Sequence, residues 1–319
     1  MTTSAHRESP CRLRVLSACV LLNVLAGTVT QAFAQTAPVS PSAPIAGPSL
    51  GKMGIFQQHR DFPSKFVARR TIDVWLPPGY WQGDSRYPVL YLQDGQNAFD
   101  PATSFGGVDW GIDETMTRLI AEKRIRPAIV VAIWNSPMRF QEYMPQKALG
   151  NDSMIVTGRL SGEVVPGPAQ SDAYLRFLGS EVKPFIDRTY RTKPRRDDTF
   201  LMGSSMGGLI SLYAISELPG MFSGAACLST HWPAGRGGMI EYLQRNVPKA
   251  DDHRLYFDHG TATLDSLYAP YQLRVNEILR SAKYKDGENF VTQVFDGADH
   301  SERSWRVRVE TPLEFLLRK

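Results

Sequence analysis

Apolar residues along this chain come in short runs that alternate with stretches of helical spacing. "TIDVWLP" (71–77) and "YPVLYLQDG" (87–95) read as strands, the second almost continuously apolar and so expected at the centre of a sheet. "DETMTRLIAEK" has helical spacing, and "RPAIVVAIWN" reads as another buried strand. "SDAYLRFLGSEVKPFIDRTYR" (171–191) predicts one long amphipathic helix with Ser171 or Asp172 as its cap. Strand and helix then alternate through "TFLMGSS", "GLISLYAISEL", "GAACLST", "MIEYLQRNV", "HRLYFDHG", "PYQLRVNEILRSA" and "NFVTQVFDG". A terminal helix over "RSWRVRVETPLEFLLR" closes the series. Buried strands alternating with helices predict an α/β fold with a mostly parallel sheet covered on both faces. In such sheets ligands bind beyond the carboxyl ends of the strands.

Two stretches break the alternation. Residues 35–50, "QTAPVSPSAPIAGPSL", are rich in Pro, Ser and Ala and read as a disordered tether. Residues 150–170 are long, aperiodic and contain Gly and Pro, which suits a lid or a plain surface insertion.

The first 34 residues have a different character. "HRESPCRLR" is a basic start, "VLSACVLLNVLAGTVT" an apolar stretch, and Ala32-Phe33-Ala34 a small-x-small cleavage site, so residues 1–34 read as a secretory signal peptide. The apolar stretch is too short and interrupted for a membrane span. Leu16-Ser17-Ala18-Cys19 imitates a lipoprotein box, but the apolar stretch follows the cysteine instead of preceding it. The expected product is a periplasmic or secreted protein without stable membrane insertion. Removing residues 1–34 lowers the net charge from +4 to +2, so charge gives no reason to expect a nucleic-acid partner. It also leaves Cys227 as the one cysteine, so no internal disulfide holds the product together. The 285 residues after position 34 suffice for one large domain, expected over 51–319, whose core must carry its stability.

Gly203-Ser204-Ser205-Met206-Gly207 lies between a strand-like and a helix-like run and fits G-x-S-x-G, the nucleophile elbow. Its glycines relieve crowding around a serine held on a sharp turn, while Ser204 should point into the packed strand. The helix N-terminus and the Met206 N–H would meet a developing oxyanion. A serine hydroxyl needs a base. Of the downstream histidines His231, His253, His259 and His300, the loop residue His300 in "FDGADHSERSW" is the candidate. His231 follows a strand and, with Trp232, is expected to line the substrate pocket. For the acid, "RLYFDHGTATLDSLY" offers Asp265, which has the reach, and Asp258, which could equally serve a turn; Asp265 is favoured. The second oxyanion amide is expected from "DGQN", at Gln96 with Asn97 next.

Together "RYPVLYLQDGQNAFD", "GSSMGGLISLYA", "FDHGTATLD" and "GADHSERSW…PLEFLL" resemble the Putative esterase family of the α/β-hydrolase superfamily. That family includes esterase D (S-formylglutathione hydrolase), bacterial feruloyl esterases, enterobactin-type siderophore esterases and mycolyltransferases. The similarity runs from about residue 66 to the C-terminus. Elbow and histidine segments match in type and order, so Ser205 and His300 carry over. The acid segment departs, because many members place the acid closer behind the glycine than Asp265 lies behind Gly260. The resemblance implies an α/β-hydrolase fold and ester hydrolysis or acyl transfer on a small-molecule ester. An acyltransferase would share these residues. A serine peptidase could use the same triad, and a non-catalytic binding protein could keep the fold, although it need not keep all three residues. The chain has no H-E-x-x-H, no paired cysteines and no phosphate-binding G-x-x-x-x-G-K-[ST], so no metal or cofactor is expected.

Overall fold

The computed structural model describes residues 54–150 and 167–319, and the backbone of Ile45–Ala46, Ile155–Val156 and Val164–Val165. The expected leader, most of the tether and much of segment 150–170 lie outside the described residues. Within the tether, Ile45–Ala46 (β1) departs from expectation by pairing antiparallel with Ile55–Phe62 (β2). The periodicity of "IFQQHRDF" conceals β2, because a strand near the sheet edge can carry polar residues on its solvent side. Arg70–Leu76 (β3), Val89–Gln93 (β4), Ile112–Ala121 (α1), Ile129–Ile133 (β5) and the short Arg139–Tyr143 (α2) follow. Ile155–Val156 (β6) and Val164–Val165 (β7) pair antiparallel within the segment expected to be aperiodic.

The long helix expected over 171–191 is three consecutive pieces. Ser171–Arg176 (α3) passes through a π-helical turn, Phe177–Val182, into Lys183–Thr189 (α4). Pro184 has no N–H to give the preceding turn, and the wider π spacing accompanies it. Neither expected cap acts as one. The Ser171 hydroxyl accepts from the Gln146 N–H at 2.8 Å, and Asp172 accepts from the Tyr213 hydroxyl at 2.5 Å.

Thr199–Ser204 (β8), Met206–Glu217 (α5), Gly224–Leu228 (β9), Gly238–Asn246 (α6), Arg254–Gly260 (β10), Ala269–Ser281 (α7) and Phe290–Phe295 (β11) complete the alternation. The expected terminal helix is two, Glu302–Arg308 (α8) and Glu310–Leu317 (α9), broken at Val309 because Pro312 cannot donate back to the preceding turn.

The sheet runs β1-β2-β3-β5-β4-β8-β9-β10-β11. From β5 to β11 all neighbours are parallel, and β1 to β3 add an antiparallel edge. Strands β4, β5, β8 and β9 are buried at every residue, as continuous apolar runs require when helices cover both faces. Alternate strand residues feed two cores. Tyr91, Val131, Leu201 and Phe257 meet Leu209 of α5, Leu243 of α6 and Leu279 of α7. Leu90, Val130, Phe200 and Tyr256 meet Met116 of α1 and Leu313 of α9. Cys227 lies fully buried on β9, where burial pushes its thiol up out of the reactive range. Among the described residues no helix is long and apolar enough to cross a membrane.

Parallel strands bring their carboxyl ends to one edge. The turn after β4 therefore neighbours the turn after β8, with Leu92 beside Met202, and the loops after β9, β10 and β11 follow in order.

Candidate active site

Ser205 sits between β8 and α5 at φ 55°, ψ −121°, a backbone conformation few residues with a Cβ adopt. Its surroundings hold it there. The Ser205 N–H donates to Leu228 O at 2.9 Å, and its carbonyl accepts from Leu209 N at 3.1 Å and His231 N at 3.2 Å. Strand and helix meet so closely that a Cβ on Gly203 would fall 2.4 Å from the Gly207 carbonyl oxygen. Only glycine fits at 203. Ser204, by contrast, is buried at the end of β8 beside Leu228.

His300 lies in the loop after β11, and its Nε2 is 2.9 Å from Ser205 Oγ. Its Nδ1 is 2.6 Å from Asp265 Oδ1. The loop bearing Asp265 is tied to the histidine loop by backbone: Thr261 and Ala262 both donate to Ala298 O, at 3.1 and 3.0 Å. A Cβ on Gly260 would lie 2.0 Å from that same oxygen, so the two loops can meet only over glycine. Thr263, at φ 50°, accepts the His300 backbone N–H at 3.0 Å. Asp265 is 0% exposed. Burial alone would raise its carboxyl; hydrogen bonds from His300, Ser229 and Gly260 outweigh that and hold it below the usual carboxylate range.

Asp258, the other acid considered, points elsewhere. Its Oδ1 accepts from Arg308 at 2.9 Å and its Oδ2 from the Tyr256 hydroxyl at 3.1 Å, inside the sheet. Burial pushes its carboxyl up against the pull of Arg308. The structure brings Ser205, His300 and Asp265 into one hydrogen-bonded line and leaves Asp258 out of it.

The two expected oxyanion amides differ from their neighbours. The Met206 N–H begins α5 and so has no helical acceptor. The Asn97 N–H is committed to Asp94 O at 3.0 Å, whereas the Gln96 N–H has no acceptor among the described residues. That separates Gln96 from Asn97. Beneath this turn Asp94 accepts from Arg139 Nε at 2.6 Å and from Asn135 at 2.6 Å, and its Oδ2 lies 2.9 Å from where a Gly207 Cβ would be.

His231 and Trp232 separate. His231 packs against the elbow through its backbone, and its Nδ1 is 2.7 Å from the Tyr268 hydroxyl. Burial, His300 and Arg139 lower its pKa to about 4, so it is neutral at pH 7. Trp232 is 1% exposed, donates to Gln272 at 3.2 Å and packs in the core, which corrects its expected place on a pocket wall. An amphipathic indole finds its polar partner inside here, and sequence pattern does not distinguish the two cases.

Several residues around the site escaped sequence reasoning: Ser229, Tyr268, Thr263 and Arg308. Two left a trace. Ser229 directly follows a buried strand at the same sheet edge as Ser205, and Arg308 lies three residues after Trp305 on the buried face of α8. One acidic group, Asp109, Asp113 and Glu114, brings oxygens within 4.8 Å of one another among the described residues. Arg306 binds Asp109 at 2.7 Å and also binds Glu114, so the group is already partly neutralised.

A family model described as "Putative esterase" matches residues 64–314. The chain belongs to that family. Among curated relatives of this chain, the uncharacterized protein YbbA of Bacillus subtilis (strain 168) is 24% identical over 167 residues, covering 52% of this chain and 59% of YbbA. An endo-1,4-beta-xylanase/feruloyl esterase of Xylanibacter ruminicola is 29% identical over 196 residues, covering 57% of this chain and 21% of that protein. The chain thus spans less than two thirds of the length of either. The crystal structure of an IroE-like serine hydrolase from Shewanella oneidensis superposes with a TM-score of 0.62 at 22% identity, covering 81% of this chain and 79% of that one. Its likeness establishes the α/β-hydrolase fold.

Proposed function

We propose that the protein is a serine esterase that hydrolyses carboxylic esters through an acyl-enzyme on Ser205. The observation that carries this reading is the line from Ser205 Oγ to His300 Nε2 at 2.9 Å and from His300 Nδ1 to Asp265 at 2.6 Å, presented on a strained elbow. Ser205 Oγ attacks the ester carbonyl while His300 takes its proton and Asp265 holds the imidazole tautomer. The Met206 and Gln96 N–H groups hold the oxyanion. The bond to the alcohol oxygen breaks as His300 returns the proton to it. Water, giving its proton to His300, then releases the acid and frees Ser205.

The substrate we infer is an ester of an aromatic acid, of the feruloyl kind. Support comes from the feruloyl esterase named in the Xylanibacter relative. The test is a panel of para-nitrophenyl esters, feruloyl esters and a trilactone siderophore with purified protein and Ser205→Ala. Turnover should favour the feruloyl esters and fall by about 10⁴- to 10⁶-fold in Ser205→Ala, with the fold retained. Undiminished turnover in the variant would overturn the mechanism, and preference for the trilactone would overturn the substrate. We also propose export with cleavage after Ala34, supported by the basic, apolar and small-residue pattern of residues 1–34. The N-terminus of exported protein should be Gln35, and lipid at Cys19 or retention of the leader would contradict this.

A further inference from the structure

Asp265 shares its two oxygens unequally. Oδ1 meets His300, and Oδ2 receives the Gly260 N–H and the Ser229 hydroxyl, both at 2.6 Å. A serine hydroxyl has one proton and two lone pairs, and here its surroundings decide where the proton goes. The Trp305 indole N–H lies 3.0 Å from Ser229 Oγ, and Arg308 Nη2 lies 2.7 Å from it. Both groups are donors only, so they occupy the lone pairs and leave the proton no direction but Asp265. Arg308 is in turn held by Asp258 at 2.9 Å, and its Nη2 stands 3.7 Å from Asp265 Oδ2. The guanidinium and both carboxylates are fully buried, with side chains at most 1% exposed, where charges act over short distances with little screening.

We propose that Ser229 and Arg308 are positioning residues, which fix the Asp265 carboxylate on His300 and moderate the negative field that the imidazole feels. Asp258 serves by holding Arg308. During turnover His300 becomes cationic, and charge then alternates along His300, Asp265, Arg308 and Asp258. This rests on the ester-hydrolase reading of Ser205.

The groups facing this line come from five elements: His300 after β11, Ser229 after β9, Gly260 and Asp258 on β10, Tyr268 before α7, and Arg308 and Trp305 on α8. The Tyr268 and Trp305 rings lie 5.8 and 5.1 Å from the His300 ring. Burial pushes the Tyr268 hydroxyl up, and His231 behind it, held near 4, is already neutral at the pH of assay. Loss of the Ser229 hydrogen bond leaves Asp265 a stronger base toward His300. The Asp265–His300 pair then holds its shared proton more tightly, and the acid limb of the activity profile moves up.

Ser229→Ala tests this with para-nitrophenyl acetate as substrate. The expected result is a fall in kcat of about 10- to 100-fold, the range of one hydrogen bond to a charged group. KM should change by less than about twofold, and the acid limb should move to higher pH. The downfield proton NMR signal of His300 Nδ1–H should shift as well, and reading it needs no substrate. Trp305→Phe keeps the ring and frees one lone pair of Ser229, so it should change the same readouts in the same direction by less. A folded Ser229→Ala with unaltered acid limb and unaltered proton signal overturns the proposal, even if its melting temperature falls. If the signal shifts as expected but wild-type protein turns over no ester, the ester-hydrolase reading fails and the positioning stands.

Discussion

The turn at Ser205 and the loop from Gly260 to Tyr268 hold neighbouring parts of one site by different means. At Ser205 the backbone does the holding: carbonyl and amide contacts to Leu228, Leu209 and His231, with glycines where atoms crowd. At Asp265 one backbone donor, the Gly260 N–H, is joined by side chains arriving from His300, Ser229 and, at 3.7 Å, Arg308. A backbone-built site is specified within a few consecutive residues. A side-chain-built site is specified by the fold, and one altered partner can change its chemistry while the loop keeps its path.

The largest effects are expected from exchanging carboxylate for amide at the two acids. In Asp265→Asn, the Ser229 and Gly260 donors claim the amide oxygen and turn its NH₂ toward His300 Nδ1. The imidazole must then accept there and adopt the wrong tautomer, and kcat should fall by about 10⁴-fold with little change in unfolding midpoint. Asp258→Asn removes the partner that Arg308 binds at 2.9 Å, which leaves a buried cation short of its counter-charge. Denaturation should report a stability loss of about 3–5 kcal/mol, with turnover in the folded fraction within roughly tenfold of wild type. Exchange of these two outcomes would put the catalytic acid at Asp258.

The same contrast explains what the sequence disclosed. Strands β4, β5, β8 and β9 were legible because burial on both faces demands unbroken apolar runs. The elbow was legible because strain at Ser205 demands small residues within two positions. Asp265 and Asp258 could be ranked only by reach, since partners 35 and 50 residues away decide which faces the histidine. β2 was hidden by its polar edge, and Trp232 by an internal partner, Gln272, 40 residues on. The place of Ser229 at a strand end is legible, but its role is not, because an indole and a guanidinium more than 70 residues downstream set it.

His231 is where the two constructions touch, with its backbone on the elbow and its ring against Tyr268 of the acid loop. Its effect is the smallest of these and is seen in stability. Folding lowers its pKa from 6.5 to about 4, mainly by burial, so the unfolded chain binds more protons across that window. Stability is therefore unaffected by this group above pH 6.5, declines as pH falls toward 4, and loses nothing further below it. The full decline is about 3 kcal/mol, and the residue is 8% exposed, so solvent screens it little. Asp113 works against it, because burial beside Glu114 raises that carboxyl to about 6 and so favours the folded state as pH falls through the same window. The wild-type curve mixes both slopes, and only a difference curve isolates His231. His231→Gln keeps a hydrogen-bonding group near Tyr268 and cannot titrate. Its stability relative to wild type, measured by urea unfolding between pH 7 and pH 4, should improve steadily as pH falls. Parallel curves would mean that the His231 ring is free to take up a proton in the folded protein, and that elbow and acid loop meet less tightly than the 2.7 Å contact to Tyr268 requires.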